Sequence, residues 1–362
     1  MTMKTNMNKL EKSVVPGPFK YLRPSIRTEA CFFLFLLFPQ ILLLALTGSF
    51  RSLIVILSSV LANLLAEAID LKFQEKDKFD WFVCLIRGIL TGLFLPSSFP
   101  VLPVFFIAFF TLLVSRYILG GFANSWVNPV AIAVAVCYLV GMKFFPSVSL
   151  SITDLQSRNP ALALIQNGTF PINSFDLRIT AFLNQRIFSL FKVSIPDGYI
   201  SLLWDSHSLI PAFRFSLLTV LSSVVLLGFD IVNPIIPACF VFTYGLLVKF
   251  VSPFFYNGPL FQGDVILALF TGGTLFCAFF LLQWHGTTPL TNRGKYFYGI
   301  FGGIIAFLIA GTGTSSSGMI FTVLILNIVA LLIQNAENLS SAKFAENVLK
   351  KRVQSVKEGQ DA

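Results

Sequence analysis

Apolar residues run along this chain in blocks that are too long and too uniform to be strands. Ten can be drawn, at 31–48, 50–69, 81–95, 99–118, 127–145, 209–229, 231–249, 265–284, 296–311 and 317–334. Most approach the roughly 20 residues a helix needs to cross a hydrocarbon core, and none alternates apolar with polar residues as barrel strands do. The pattern predicts an all-α polytopic membrane protein with about ten transmembrane helices. It divides the chain into an N-terminal segment 1–30, a first five-helix half 31–145, a loop 146–208, a second five-helix half 209–334 and a tail 335–362.

Composition closes off the soluble alternative. Of 362 residues, 55% are hydrophobic and 12% charged, where a soluble domain carries about 25% charge, and the mean hydropathy is +0.79. A net charge of +9 would suggest nucleic acid in a soluble chain. Here the cations sort by position instead, which argues for a lipid bilayer and against nucleic acid. If the N-terminus is cytoplasmic, that side receives Lys4, Lys9, Lys12, Lys20, Arg23, Arg27, Lys72, Lys76, Lys78, Arg116, Arg293, Lys295 and the terminal cluster Lys343, Lys350, Lys351, Arg352 and Lys357. Both termini are therefore expected to face the cytoplasm, with 146–208 as an ordered external cap. The five cysteines lie singly, without CxxC spacing, and the two histidines, His207 and His285, fall on opposite sides, so no metal centre is expected. No catalytic constellation and no Walker loop is present.

Two Gly- or Pro-rich breaks, LPSSFP at 95–100 and GTGTSSSG at 311–318, adjoin short segments three and nine. Irregular backbone at membrane depth is tolerated only against protein, water or ligand. The order of motifs in 91–136 echoes that in 275–331, and because five is odd, the second half would enter from the opposite side, giving two inverted five-helix repeats.

The connection RYILGGFANSWVNPV, from Arg116 to Val130, holds the densest candidate chemistry. Gly120 and Gly121 permit close backbone approach, Asn124 and Asn128 offer amides that either donate to and accept from a ligand or cap a helix, and Pro129 suits a first helical position. Arg116 offers charge for a phosphate or anchors the topology. In QWHGTTPLTNRG, the hydroxyls of Thr287, Thr288 and Thr291 either contact a ligand or cap helices. Arg87 lies inside segment three, where it either snorkels or serves a function. Glu67 and Asp70 end segment two, and none of the acids reads as a buried carboxylate on an ion pathway.

Gly92 to Pro100 with Arg116 to Val130, then TTPLTNRG at 287–294 and the Gly318 to Asn327 framing of the last span, together resemble the RnfD and NqrB family. These are membrane subunits of ion-translocating electron-transfer complexes. The resemblance implies a multi-pass protein of the bacterial inner membrane, other membrane and redox subunits as partners, and sodium or a proton as the moved ion. It also implies a flavin held by Arg87, Arg116, Gly120, Gly121, Asn124, Asn128, Thr287, Thr288 and Thr291. Family members esterify FMN through a threonine before a proline in an external motif. Asn159 stands there, before Pro160, and cannot form that ester, so the flavin implied is noncovalent FMN or riboflavin. The alternatives are a secondary transporter or channel, suggested by the broken spans, and a redox-inactive scaffold subunit, suggested by the lost acceptor.

Overall fold

A computed structural model describes residues 25–73, 81–118, 126–146, 171–255, 263–284, 286–312 and 315–358. Regular structure among them is helical throughout. From the N-terminal side come α1 (Ile26–Leu46), α2 (Phe50–Phe73), α3 (Trp81–Leu93), α4 (Val101–Ile118) and α5 (Pro129–Val140). A polar interlude carries α6 (Asp176–Arg186) and α7 (Tyr199–Trp204). Then follow α8 (Ser216–Gly228), α9 (Ile235–Phe250), the single turn α10 (Ser252–Phe255), α11 (Val265–Thr271), α12 (Thr274–Phe280), α13 (Asn292–Ala310) and α14 (Gly318–Glu358).

The surface of these helices is oily. Phe35, Leu46, Leu102, Phe242 and Leu308 stand exposed, while Ser59, Asn63, Glu67, Asp70, Thr322 and Asn327 are buried. That inversion fits lipid as the surrounding medium. Three helical stretches, Arg27–Leu46, Phe50–Lys72 and Gly318–Asn347, are each long and apolar enough to cross a bilayer, and shorter apolar helices pack among them.

In the first half α2 packs on α3 and α4, and α4 on α5; in the second, α9 packs on α13 and on the pair α11 and α12, and α13 on α14. The halves meet where α1 touches α8 and where α5 touches α14. Between them lies a ring cluster. Phe94 stands edge-on to Phe213 and Phe276 at 6.1 and 5.3 Å, Phe276 stacks on Phe280 at 4.6 Å, and Phe33 closes on Phe280 at 5.6 Å.

The breaks differ from expectation. α3 is short and residues 94–100 are non-helical, as predicted, but α13 runs 19 residues because Thr291 caps it ahead of the apolar run. The described residues of the second break, 311–312 and 315–317, are non-helical as predicted, and a further interruption lies in segment eight, which divides into the seven-residue helices α11 and α12 at Gly272 and Gly273. Gly273 has φ +68°, and a Cβ there would collide with the Phe213 ring. Thr271 and Thr274 hydroxyls donate to the carbonyls of Leu267 and Ala268, which keeps the broken backbone satisfied.

The described part of the cap, 171–208, is organised by one carboxylate. Asp176 is fully buried and accepts from Gly198 N (2.9 Å), Ser201 N (2.6 Å), Ser201 Oγ (2.7 Å) and Thr180 Oγ1 (2.9 Å). Burial alone would raise its pKa, but these bonds outweigh it and hold the carboxyl below its ordinary value. A depressed carboxylate contributes stability that is complete above the unfolded pKa of about 3.9 and is lost as pH falls through the folded one. Acid-protease cleavage within 171–208 is accordingly expected to accelerate below about pH 4. Asp176→Asn is expected to cleave fast at all pH; if the variant kept the wild-type pH dependence, this account of the cap would fail.

Candidate functional site

Among the described residues, the predicted site residues fall at two clusters of polar side chains in the bundle. The first lies between α2 and α3. Ser59, Asn63, Glu67 and Asp70 recur at spacings of four, four and three, which puts them on one face of α2. Gly88 and Gly92, one turn apart on α3, meet that helix backbone to backbone: a Cβ at either would fall 2.6 Å from the Cα of Val60 or 2.5 Å from that of Ile56. The close approach carries Arg87 and Cys84 against the polar stripe. Asn63, Ala66, Glu67, Cys84, Arg87, Leu112 and Leu113 line a cavity of about 10 Å³, room for roughly one water. Asn63 donates to the Ser59 carbonyl at 2.8 Å, and its Oδ1 accepts no hydrogen bond among the described residues.

This corrects the reading of the acids. Glu67 and Asp70 are 3% and 0% exposed, so they are buried carboxylates and not the exposed end of a span. The reason is length and register: α2 continues to Phe73, beyond the apolar run, and its polar face turns toward α3. Arg87, 5% exposed, is likewise packed inside and does not snorkel outward.

The second place is the joint after α12. Asn128 caps α5, its Oδ1 accepting from Val130 N and Ala131 N, while its Nδ2 donates to the carbonyl of Leu281 at 3.1 Å. One side chain thus starts a helix of the first half and ties it to the end of a half-helix in the second. Around it, Tyr298 donates to the Leu282 carbonyl and Thr287 to the Trp284 carbonyl, and the Gln283 amide pairs with both backbone groups of Asn233. Thr291 accepts from Gly294 N and donates to Glu337, which also takes Leu290 N and Thr291 N. Gln334 holds the Thr288 carbonyl at 2.8 Å.

The predicted residues therefore separate. Asn128, Thr287, Thr288 and Thr291 belong to one joint and Arg87 to the other place. Arg116 occupies the last turn of α4, its side chain outside the described residues, as are Gly120, Gly121, Asn124 and Asn159. Sequence reasoning missed Glu337, an isolated acid where α14 leaves its apolar run. Asn327, read from sequence only as the end of the last-span framing, lies two helical turns before Gln334 and is 1% exposed with neither amide atom bonded among the described residues.

Apolar helices with oily exteriors and ionisable groups inside are the features of an all-α integral membrane protein. The sequence profile of the NQR2, RnfD, RnfE family matches residues 13–342. The chain belongs to that family. Relatives described as the D subunit of an ion-translocating oxidoreductase complex include one from Buchnera aphidicola of Schizaphis graminum, 26% identical over 75% of this chain and 81% of its own length. Another, from Escherichia coli O7:K1, is 24% identical over 86% and 88%, and one from Aliivibrio salmonicida is 21% identical over 88% and 95%.

Proposed function

We propose that this chain is an RnfD-like subunit of a bacterial inner-membrane complex that couples flavin-mediated electron transfer to movement of sodium or protons. Family membership and the names of its relatives support the complex, and one structural observation supports ion handling: two carboxylates and a guanidinium buried between apolar helices. Such groups are costly in a membrane and are retained where charge moves or is held. Ten spans in two inverted halves are part of the proposal. They are supported by the matching pairings, α2 with α3 and α4 against α9 with α12 and α13, and by the contacts of α1 with α8 and α5 with α14. Both termini then face the cytoplasm.

The described residues do not by themselves fit a flavin. The cavity beside Arg87 has room for one water, and Asn128, Thr287 and Thr291 commit their polar groups to backbone and to Glu337. Asn327 alone among these retains an unused amide, the group type that matches a flavin ring edge, and one contact is not a site. A noncovalent FMN or riboflavin on this chain would depend on Gly120, Gly121, Asn124 and Arg116. The same spent groups favour a second reading, a scaffold that holds redox partners without carrying the cofactor.

Mass spectrometry and flavin analysis of the gently solubilised native complex separates the readings. Co-purification with flavin- or iron–sulfur-bearing subunits is expected, flavin retained by this chain favours electron transfer, and its absence favours the scaffold. Solute flux through liposomes containing this chain alone, without a redox donor, would overturn both. Within an assembled complex, Glu67→Gln is expected to abolish ion movement while leaving subunit composition unchanged; full coupling in that variant would remove the ion-handling role of the α2–α3 cluster.

A further inference from the structure

Helix α6 is amphipathic in the opposite sense to a helix on a water-facing domain. Its polar face, Asp176, Thr180 and Asn184, is turned inward, with Asn184 pairing both ways with the backbone of Ile195 at 2.8 and 2.9 Å. Its apolar residues and those of the turn after it face outward: Leu177, Phe182, Ile187, Leu190, Phe191 and Val193 are all exposed, Leu190 and Phe191 by 79% and 72%. Interleaved with them are Arg178, Arg186 and Lys192, also exposed, and the segment 177–196 contains no acidic residue.

Water does not stabilise such a surface, and its one-signed charge selects what does. Large apolar side chains mixed with cations match the headgroup layer of a membrane, where the rings enter the acyl boundary and the cations meet phosphate. Position agrees. α6 packs on α7, and α7 packs on α8 and α11, so the patch lies one helix out from the membrane-crossing bundle at the end where Arg214 and Ser49 meet. Trp204 of α7, 40% exposed and edge-on to Phe175 at 5.8 Å, adds an aromatic of the kind that settles at that interface. We infer that residues 177–193 form an interfacial anchor, lying flat on the bilayer and binding anionic phospholipid headgroups through Arg178, Arg186 and Lys192. The inference is independent of any redox role.

The test places a benzophenone amino acid at Phe182 or Phe191 in the full chain, irradiates native membranes and identifies adducts by mass spectrometry, with lipid-facing Leu308 on α13 as the positive control. Lipid adducts are expected at both positions at yields comparable to Leu308. A protein adduct, or none where Leu308 labels, overturns the anchor in favour of a partner subunit or water. In proteoliposomes the wild-type yield at Phe182 is expected to fall severalfold when phosphatidylglycerol is replaced by phosphatidylcholine, and the Arg178→Glu, Arg186→Glu, Lys192→Glu triple variant is expected to lose that difference. Equal wild-type yields in the two lipids would refute headgroup recognition.

Discussion

Gly92→Val is expected to force α3 away from α2 and to leave little monodisperse protein after detergent extraction. The added Cβ would stand 2.5 Å from the Cα of Ile56 and 2.9 Å from its Cγ1. The first contact is backbone, which no rotamer change relieves, so the helices themselves must separate. Overpacking of this kind costs about 1–3 kcal/mol and sometimes more. The upper end is expected here, because Gly88 makes the same contact one turn away and any separation opens both. At Gly228, the end of α8, a Cβ would meet nothing within 4 Å. Gly228→Ala is therefore expected to be neutral or to stabilise by about 0.4–1 kcal/mol. A melting temperature for Gly92→Val equal to wild type would refute the backbone-level crossing, and with it the means by which Arg87 is brought to the polar face of α2.

What the sequence revealed follows from how local each signal is. Asn128 and Pro129 announce the start of α5 by cap chemistry alone, and the helix begins there. The apolar run at 50–69 places α2 to within four residues. The division of segment eight is hidden because Val265 to Leu282 is largely apolar and two glycines look harmless in a membrane helix. Their significance depends on the Phe213 ring, 60 residues away in sequence. Burial of Glu67 and Asp70 is similarly invisible, since a helix face becomes interior only when its neighbour is known. Gly88 and Gly92, and Gly299 and Gly303 on α13, are small-residue pairs one turn apart, a spacing that marks a helix crossing only once the partner helix is known. The second pair meets Ile236, Phe240 and Thr243 of α9 as the first meets α2. The candidate joint was half visible: its threonines and Asn128 stand out as polar residues between apolar runs, whereas Glu337 joins them only through a contact across 46 residues.

Arg214→Ala is expected to be among the most destabilising single substitutions, at about 3–5 kcal/mol. Arg214 and Asp205 are 8% and 6% exposed and form a two-pronged pair, Nε to Oδ1 at 2.9 Å and Nη2 to Oδ2, while Nη1 donates to Ser49 Oγ at 2.6 Å. The guanidinium also lies 5.1 Å from the centre of the Phe215 ring. One side chain therefore fastens the cap, the turn between α1 and α2, and the entry to α8. Truncation leaves Asp205 buried without its counter-charge, and that uncompensated charge is the larger part of the cost. Removing both charges avoids it, so Asp205→Ala with Arg214→Ala is expected to melt higher than Arg214→Ala alone. Arg214→Lys is expected to fall between wild type and the alanine variant, because an ammonium keeps the charge but not the fork. If the double variant melted below the single one, the pair would owe its place to packing and not to charge, and the cap would be held to the bundle by its apolar contacts.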